Sequence, residues 1–271
     1  MKLYKSKKRR CFLLFLMLIP IYIFVGLLKP LTVSKYEYKS RSVPKSFDGF
    51  KIVQLSDFHC QYFGKNEKNL VNKIKALSPD LIVFTGDMLD ESHSTDNLES
   101  LLSEIQSVAP IYAITGNHDN TDKPVYAQLQ KIYDTYNVKL LNNTVATLTY
   151  NNDSINLYGS TFLDWSGNCI RATDPDKLNI LLYHDANSFD TISQYGHDII
   201  LSGHIHGGII RIPFVGGLIG NSKNLFPKYT EGAFYDSKNN CTMYVSRGLG
   251  DSIIPRFYNP PELVLLTLYC Q

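Results

Sequence analysis

The sequence predicts an α/β sandwich, because short apolar strand patterns alternate with amphipathic helix patterns in the first half of the chain. Three runs rich in Ile and Val have the form of strands buried on both faces: Lys51–Leu55, Leu81–Phe84 and Ile111–Ile114. Between them, apolar residues recur at helical spacing over 70–77 and 98–105. The resulting order of strand, helix, strand, helix and strand is typical of an α/β domain.

Capping and breaker residues mark the ends of these helices. Asp96 followed by Glu99 has the form of a capping box at the start of the second helix. Pro79 and Pro110 follow the two helices, as expected where a helix stops. We expect a third helix to open at Pro124, because proline is favoured in the first turn.

The second half of the chain is richer in strand patterns. Thr144–Tyr150 and Ile155–Tyr158, separated by a polar turn, predict a hairpin. With 271 residues and 44% hydrophobic content, the chain can bury one sizeable core, so we expect a single catalytic domain over 49–271. Further strands are predicted at Asn179–Tyr183, Asp198–Leu201, Met243–Ser246 and Leu263–Leu268.

An apolar segment precedes the predicted domain. Residues 11–28 carry no charge and follow a basic segment, 1–10. This pattern predicts a transmembrane signal-anchor, with the basic end in the cytoplasm and the catalytic domain outside the cell membrane. Residues 29–48 then form a linker and an edge strand. Because Arg9-Arg10 resembles a twin-arginine export signal, export followed by cleavage is the alternative.

Charge and cysteine content narrow the function classes. The net charge is only +2 and no basic stripe with interleaved aromatics is present, so a nucleic-acid partner is not indicated. The five cysteines include no Cys-x-x-Cys pair, which argues against a zinc–thiolate site. In an exported domain the last four could form a disulfide, and free buried cysteines are the alternative.

Residue types that bind metals follow five of the predicted strands. Ligands of open α/β sheets bind beyond the carboxyl ends of strands, so we expect these side chains to converge. Glycines within the motifs allow sharp turns and close backbone approach. Residues two apart in an extended chain point to the same side, so both members of the pairs Asp57/His59 and His204/His206 can face one site. The groups are Asp57 and His59, Gly86-Asp87, Gly116-Asn117-His118-Asp119, His184, and Gly203-His204-Ile205-His206.

The chemistry of these side chains predicts a site for two metal ions. A mixture of carboxylate, carboxamide and imidazole favours Mn²⁺, Fe²⁺ or Zn²⁺, with Mn²⁺ the first expectation. More than four ligands indicate two ions, and paired ions roughly 3.5–4 Å apart can clamp a phosphoryl group and lower the pKa of a bridging water. A single His or Asp could instead be a hydrogen-bonded core residue or a helix cap. Seven such residues at strand exits would be costly without a metal.

The five motifs, in this order, resemble those of the calcineurin-like metallophosphoesterase superfamily over about residues 50 to 268. The resemblance implies a four-layer α-β-β-α sandwich of two mixed sheets. It also implies that His118 is not a ligand and protonates the leaving oxygen, and that Asp119 helps to orient it. The implied ligands are Asp57, His59 and His206 for one metal, Asn117, His184 and His204 for the other, and Asp87 bridging both.

A closer resemblance is to a bacterial membrane-anchored or exported branch, whose members are often assigned as UDP-2,3-diacylglucosamine hydrolases. Four segments carry it: 202–208, 214–217, 246–250 and 261–263. It implies that Arg247 contacts a substrate phosphate. The sequence departs from the branch at Asp185, next to His184, where a Pro-containing turn is more usual. His93 and His197 lie outside the motifs and are expected at the surface.

The predicted function is therefore hydrolysis of a phosphodiester or pyrophosphate bond by a two-metal-activated water, in a lipid- or nucleotide-linked substrate at the membrane. Two alternatives remain, because a shared fold does not fix the substrate. One is a phosphomonoesterase or phosphoprotein phosphatase, and the other is a non-catalytic metal-binding module of the cell envelope.

Overall fold

Two six-stranded mixed sheets face each other and carry most of the chain. The computed structural model describes residues 17–90, 94–161, 169–220, 224–251 and 254–271. The strands are β1 (Thr32–Ser40), β2 (Lys51–Leu55), β3 (Leu81–Thr85), β4 (Ile111–Ile114), β5 (Lys139–Leu140), β6 (Thr144–Tyr150), β7 (Asp153–Gly159), β8 (Asn179–Asp185), β9 (Ile199–Gly203), β10 (Ile210–Ile212), β11 (Gly216–Ile219), β12 (Gly232–Asp236), β13 (Cys241–Val245) and β14 (Glu262–Cys270).

The first sheet has the strand order β1-β14-β2-β3-β4-β5. Strands β2 to β5 are mutually parallel, β14 is antiparallel to β2, and β1 is parallel to β14. Val264 of β14 pairs with Gln54 of β2, so β14 starts where β2 ends. Thr32 pairs with Glu262, so β1 also starts at that edge. The chain therefore enters the domain beside the carboxyl ends of β2 to β4.

The second sheet has the strand order β12-β13-β9-β8-β7-β6. Its inner strands β13, β9, β8 and β7 are parallel, and the two edge strands are antiparallel to their neighbours. The buried side chain of Gln54 donates to Thr85 Oγ1 in its own sheet and to the Ser202 carbonyl in the second sheet, both at 2.9 Å. These bonds place the carboxyl ends of β2 and β3 in the first sheet and of β9 in the second sheet at the same end of the sandwich.

Helices cover both outer faces, which gives the four layers that the family resemblance implied. The helices are α1 (17–27), α2 (Lys68–Leu77), α3 (Asp96–Ile105), α4 (Tyr126–Thr135) and α5 (Phe189–Ile192). Apolar side chains of α2, α3 and α4 form one core with the first sheet, and those of α5 form another with the second sheet. A third core, including Ile52, Val83, Ile180 and Leu201, fills the space between the sheets.

The predicted elements agree with the structure in most places and differ at some ends. The bounds predicted for β2, β4 and β6 are confirmed. Asp96 is the first residue of α3 rather than its cap, which is Thr95, whose hydroxyl donates to Glu99 at 3.0 Å. Helix α4 begins at Tyr126, two residues after Pro124. The short elements β5, β10 to β12 and α5 were not predicted from the sequence.

The predicted signal-anchor falls partly outside the described residues, since it begins at residue 11. Its described part is α1, whose apolar side chains are mostly exposed, and Leu28 after it. Among the described residues, no helix has both the length and the apolar character needed to cross a bilayer. The signal-anchor therefore stays a prediction. Cys60, Cys169, Cys241 and Cys270 are free; Cys60 and Cys241 are buried, as the alternative expected, and Cys169 and Cys270 are half-buried.

Candidate metal centre

The seven predicted metal ligands come together at the end of the sandwich where the strands of both sheets finish. Six of them are buried, and Asn117 is half-buried. Their ligand atoms form two groups, and within each group these atoms lie within 4.8 Å of one another. The Oδ1 atom of Asn117 lies 3.2 Å from Nε2 of His184, which places it beside the second group. The groups are Asp57, His59 and His206, and Asp87, His184 and His204.

Asp87 lies between the two groups. Its Oδ2 atom is 3.2 Å from Nε2 of His184 and 3.9 Å from Nε2 of His59. Its Oδ1 atom accepts a hydrogen bond of 2.8 Å from the backbone N–H of His118. One carboxylate thus faces both groups, as a ligand shared by two ions must.

Five of the candidate ligands have left-handed backbone conformations, which are uncommon for residues other than glycine. Strain of this kind costs roughly 1 kcal/mol or more per residue and is concentrated at functional sites. Asp57 and His59 lie in one group, and His204 and His206 face the same centre from different groups. The extended backbone expected for these two pairs is wrong, because the φ angle is positive at each of the four residues. The φ angles are 50° at Asp57, 46° at His59, 54° at Asp87, 73° at His204 and 49° at His206.

Glycine is required where the backbone passes the carboxylates. A Cβ atom added at Gly203 would collide with Ser56 Oγ and Asp57 Oδ2, and one at Gly116 would collide with Asp87 Oδ1. The N–H of His204, next in the chain, donates to both oxygens of Asp57 at 3.1 Å. Close approach of the backbone to the two carboxylates is therefore the reason for these glycines, as the sequence predicted.

Contacts behind the ligands fix the orientation of two imidazoles. Nδ1 of His184 lies 2.8 Å from the carbonyl oxygen of Thr85. Because a carbonyl only accepts, Nδ1 carries a proton, and Nε2 is the ring nitrogen that faces the ligand group. On the other side, Nδ1 of His59 lies 3.5 Å from the carboxylate of Asp90.

Two buried residues near His206 were missed by the sequence analysis. Arg256 places its guanidinium 3.4 Å from Nδ1 of His206 and donates to the carbonyls of Arg247 and Gly250. Asn259 donates to the carbonyl of His206. Neither belongs to a strand-end motif; the only sequence signal is their position just before Pro260-Pro261 and the last strand.

The electrostatics of the two groups fit divalent cations. Burial raises the pKa of the Asp87 carboxyl, but the imidazoles of His184, His59 and His118 outweigh it and hold that pKa well below its usual range. Burial lowers the pKa of His184, yet the Asp87 carboxylate outweighs it and raises that pKa to about 10. Burial lowers the pKa of His206 to about 3, so its lone pair is available at neutral pH. Buried carboxylates that stabilise a nearby positive charge, together with a neutral imidazole such as that of His206, suit divalent metal ions.

His118 belongs to neither ligand group, and its ring lies edge-on to that of His59. Its side chain is exposed, and its ring centroid is 5.1 Å from that of His59. An imidazole at the open side of the centre can contact a substrate without binding a metal. This position is compatible with the general-acid role that the resemblance implies for it.

Asp119 is fully buried and contacts backbone rather than the His118 ring. Oδ1 accepts from the N–H of Gly116 at 2.7 Å and of Asp87 at 3.3 Å, and Oδ2 accepts from Met88 at 2.7 Å and Leu89 at 3.3 Å. Burial, together with the nearby Asp87 carboxylate, raises the pKa of Asp119 to about 6. The structure thus gives Asp119 the task of holding the loops that carry Asp87 and Asn117.

Arg247 is engaged by protein carboxylates. Its Nε lies 3.1 Å from carboxylate oxygens of both Glu231 and Glu262, and its NH2 group donates to Thr32 Oγ1 at 3.0 Å. The predicted contact with a substrate phosphate stays a prediction.

Asp185 is the position next to His184 where the sequence departs from the related branch. Its side chain accepts a hydrogen bond from the Asn187 N–H and so caps the turn that follows β8.

The two histidines outside the motifs have different outcomes. His197 is 1% exposed, so its expected surface position is wrong. Burial lowers its pKa to about 4, and its ring packs edge-on against Tyr158 with the centroids 5.0 Å apart. His93 lies outside the described residues.

Comparison with known proteins agrees with this geometry. The calcineurin-like phosphoesterase model matches residues 50–208. The chain is 32% identical to the uncharacterized metallophosphoesterase YkuE of Bacillus subtilis, over 87% of this chain and 84% of the relative. It is 27% identical to the UDP-2,3-diacylglucosamine pyrophosphatase LpxG of Chlamydia trachomatis, over 83% and 86% of the two chains. It is 28% identical to the phosphodiesterase YaeI of Escherichia coli, over 81% and 82%. The chain therefore belongs to the calcineurin-like phosphoesterase family and is a hydrolase that acts on phosphoester bonds.

Proposed function

We propose that this chain hydrolyses a phosphodiester or pyrophosphate bond in a lipid- or nucleotide-linked substrate at the outer face of the cell membrane. The observation that carries the proposal is the pair of ligand groups with the Asp87 carboxylate between them. Asp57, His59 and His206 would hold one divalent ion, and Asn117, His184 and His204 the other, with Asp87 shared. Manganese is the first expectation for both, with Fe²⁺ and Zn²⁺ as alternatives.

The chain positions both the ions and the leaving group. When bound, two divalent ions lower the pKa of water and stabilise negative charge on phosphoryl oxygens. His184 is held by Thr85, and His59 lies against Asp90, so these imidazoles are oriented before substrate arrives. The N–H of His118 donates to Asp87, which ties the backbone of the proposed acid to the shared ligand. His118 then donates a proton to the leaving oxygen.

The substrate class is proposed from two supports. LpxG, a relative along most of its length, is a pyrophosphatase named for a diacylated nucleotide sugar. The predicted signal-anchor would keep the domain at a lipid surface. YaeI is named only as a phosphodiesterase, which supports the reaction and leaves the substrate open.

Replacement of the shared ligand tests the proposal. The full chain in detergent is assayed with Mn²⁺ on bis-p-nitrophenyl phosphate, on p-nitrophenyl phosphate and on a nucleoside-diphospho-lipid. Asp87→Asn should lower diester turnover by at least about 100-fold. Replacing a residue that only orients a metal ligand already lowers metal affinity or activity by about 10–100-fold, and Asp87 is proposed as a ligand itself. It should also lower the metal content measured by mass spectrometry. Asp134→Asn, an exposed carboxylate on α4, is the matched control and should keep wild-type values.

Each alternative predicts a different result in the same assay. Preference for the phosphomonoester would favour a phosphatase. Absence of any turnover that depends on Asp87, with metal still bound, would overturn the proposal and favour a non-catalytic metal-binding module.

A further inference from the structure

Five large apolar side chains project from a small hairpin near the metal centre and from the segment that lies against this hairpin. The hairpin is formed by β10 and β11, and residues 224–226 lie against it through a bond of 2.9 Å from the Phe226 N–H to the Leu218 carbonyl. Phe214, at the turn, is fully exposed and has a φ angle of 69°. We call this set the apolar tip; its members and exposed fractions are Ile212 37%, Phe214 110%, Val215 65%, Leu225 67% and Phe226 62%.

The apolar tip is connected to helix α1 by two consecutive aromatic residues. Phe257 pairs with the hairpin strand, through bonds of 2.9 Å from the Arg211 N–H to the Phe257 carbonyl and 3.3 Å from the Phe257 N–H to the Ile209 carbonyl. Tyr258 binds the helix: its N–H donates to the Gly26 carbonyl at 2.7 Å and its hydroxyl to the Tyr22 carbonyl at 2.9 Å. The hairpin and the helix are thus held side by side.

Close packing supports this connection. The ring centroid of Tyr22 lies 4.8 Å from that of Tyr258 and 6.0 Å from that of Phe257. A Cβ atom added at Gly26 would collide with the ring of Phe257 and would lie 2.8 Å from Tyr258 Cε2. The absence of a side chain at Gly26 is what allows the helix to approach so closely.

Helix α1 exposes apolar side chains on every side except at this contact. None of residues 17–28 is charged. Apolar surface of this extent marks a protein or membrane contact, because water contact with it is unfavourable. The exposed members are Met17, Leu18, Ile19, Ile21, Tyr22, Ile23, Phe24, Val25, Leu27 and Leu28.

The charged groups beneath the hairpin are paired with one another. The guanidinium of Arg211 contacts the carboxylate of Glu231 and donates to the Gly207 carbonyl at 2.7 Å. Glu231 in turn lies 3.1 Å from Nε of Arg247. The tip therefore presents apolar surface while its supporting charges are satisfied by the protein, which favours a lipid partner over a charged one.

We propose that the apolar tip inserts into the interfacial region of the phospholipid leaflet from which α1 emerges, so that the metal centre faces the membrane surface. The inference rests on the membrane anchoring that forms part of the proposed function. The ligand His206 lies four residues before β10, and β1 enters the first sheet at the edge that bears the ligands. A lipid-linked phosphoester held in the leaflet would then meet the centre without leaving the membrane.

Site-specific fluorescence tests this orientation in the full chain. In a Trp165→Phe background, which removes the one native tryptophan, Phe214→Trp reports on the tip. Tyr150→Trp is the matched control: it is an exposed aromatic at the far end of β6, where that strand runs away from the metal centre. Both proteins are reconstituted into vesicles of phosphatidylethanolamine and phosphatidylglycerol with brominated acyl chains. We expect bromine to quench Trp at 214 at least about threefold more than Trp at 150, independently of salt, because apolar insertion is not screened.

The outcomes separate this inference from the proposed function. Equal quenching at both positions in protein that still sediments with the vesicles would overturn insertion of the tip. Shielding of Trp at 214 that follows protein concentration rather than bromination would also overturn it and would indicate a second copy of the chain. Failure to sediment would overturn the anchoring. Hydrolysis of bis-p-nitrophenyl phosphate by the same samples reports on catalysis separately.

Discussion

The side-chain amide of Asn259 donates a hydrogen bond of 2.6 Å to the carbonyl oxygen of His206. The same amide donates to the carbonyl of Ile209 at 3.1 Å, and Asn259 is 1% exposed. It therefore spans the turn between a candidate metal ligand and the hairpin that follows. Since Phe257 and Tyr258 contact the hairpin and α1, three consecutive residues connect the metal centre, the hairpin and the helix.

Asn259→Ala should loosen the turn after His206. The change removes the amide donor of the buried His206 carbonyl, which costs roughly 1–3 kcal/mol at most sites, while the Ile209 carbonyl keeps the Phe257 N–H as a donor. We expect a lower midpoint of urea unfolding. We also expect the weaker of the two Mn²⁺ affinities to fall by about 10–100-fold, as happens when a residue that orients a metal ligand is removed. Calorimetric titration with Mn²⁺ measures this affinity. Asn72→Ala, on the exposed face of α2, is the control, and equal metal affinity in both variants would contradict the role.

His118→Gln should affect substrates according to their leaving group. A general acid contributes about 10²–10⁴-fold where the leaving oxygen is basic and little where it departs as an anion unaided. We therefore expect a large loss of kcat on an alkyl phosphodiester and a small one on bis-p-nitrophenyl phosphate. Metal content should not change, because His118 belongs to neither ligand group. A uniform loss on both substrates would argue against proton donation.

Asp119→Asn distinguishes a backbone-holding role from orientation of His118. Both carboxylate oxygens accept backbone N–H groups, so the new NH₂ must face donors in either orientation. We expect a loss of about 1–3 kcal/mol in the free energy of unfolding and weaker metal retention. The pH at which general-acid activity declines should stay as in the wild type. A shift of that pH without loss of stability would instead support orientation of His118.

His197 should make the domain less stable in mild acid. Its pKa is about 4 in the folded protein, against an ordinary value of 6.5. Below pH 6.5 the unfolded chain binds the proton more readily, so this contribution is complete above pH 6.5 and is lost as the pH falls towards 4. The full effect is about 3 kcal/mol from that difference in pKa.

The measurement is urea unfolding at pH 7 and pH 5 for the wild type and His197→Phe. The variant keeps a ring against Tyr158 but removes the titrating group. We expect it to lose less stability than the wild type between the two pH values. The same loss in both proteins would show that His197 does not contribute.

The strands and the candidate ligands could be predicted because they depend on local pattern. Buried runs such as Lys51–Leu55 are apolar throughout, and metal-binding side chains have few substitutes. The ends of elements and the burial of single polar residues were less predictable. Thr95 rather than Asp96 caps α3, although the local sequence fits a cap at either residue. His197 is buried, although the local sequence equally fits a surface position.

From the sequence alone came the α/β class, the seven ligand types in order and the apolar N-terminal segment, each a property of residue type and spacing. The family resemblance implied that His204 and His206 divide between two groups, but only the tertiary structure decided the left-handed turns and the long-range grouping with Asp57 and Asp87 that produce this division. The contacts of Asp119, Arg256 and Asn259, and the placement of α1 beside the hairpin of β10 and β11, were decided there as well. They depend on pairs of residues up to 236 positions apart, and no local pattern encodes such pairs.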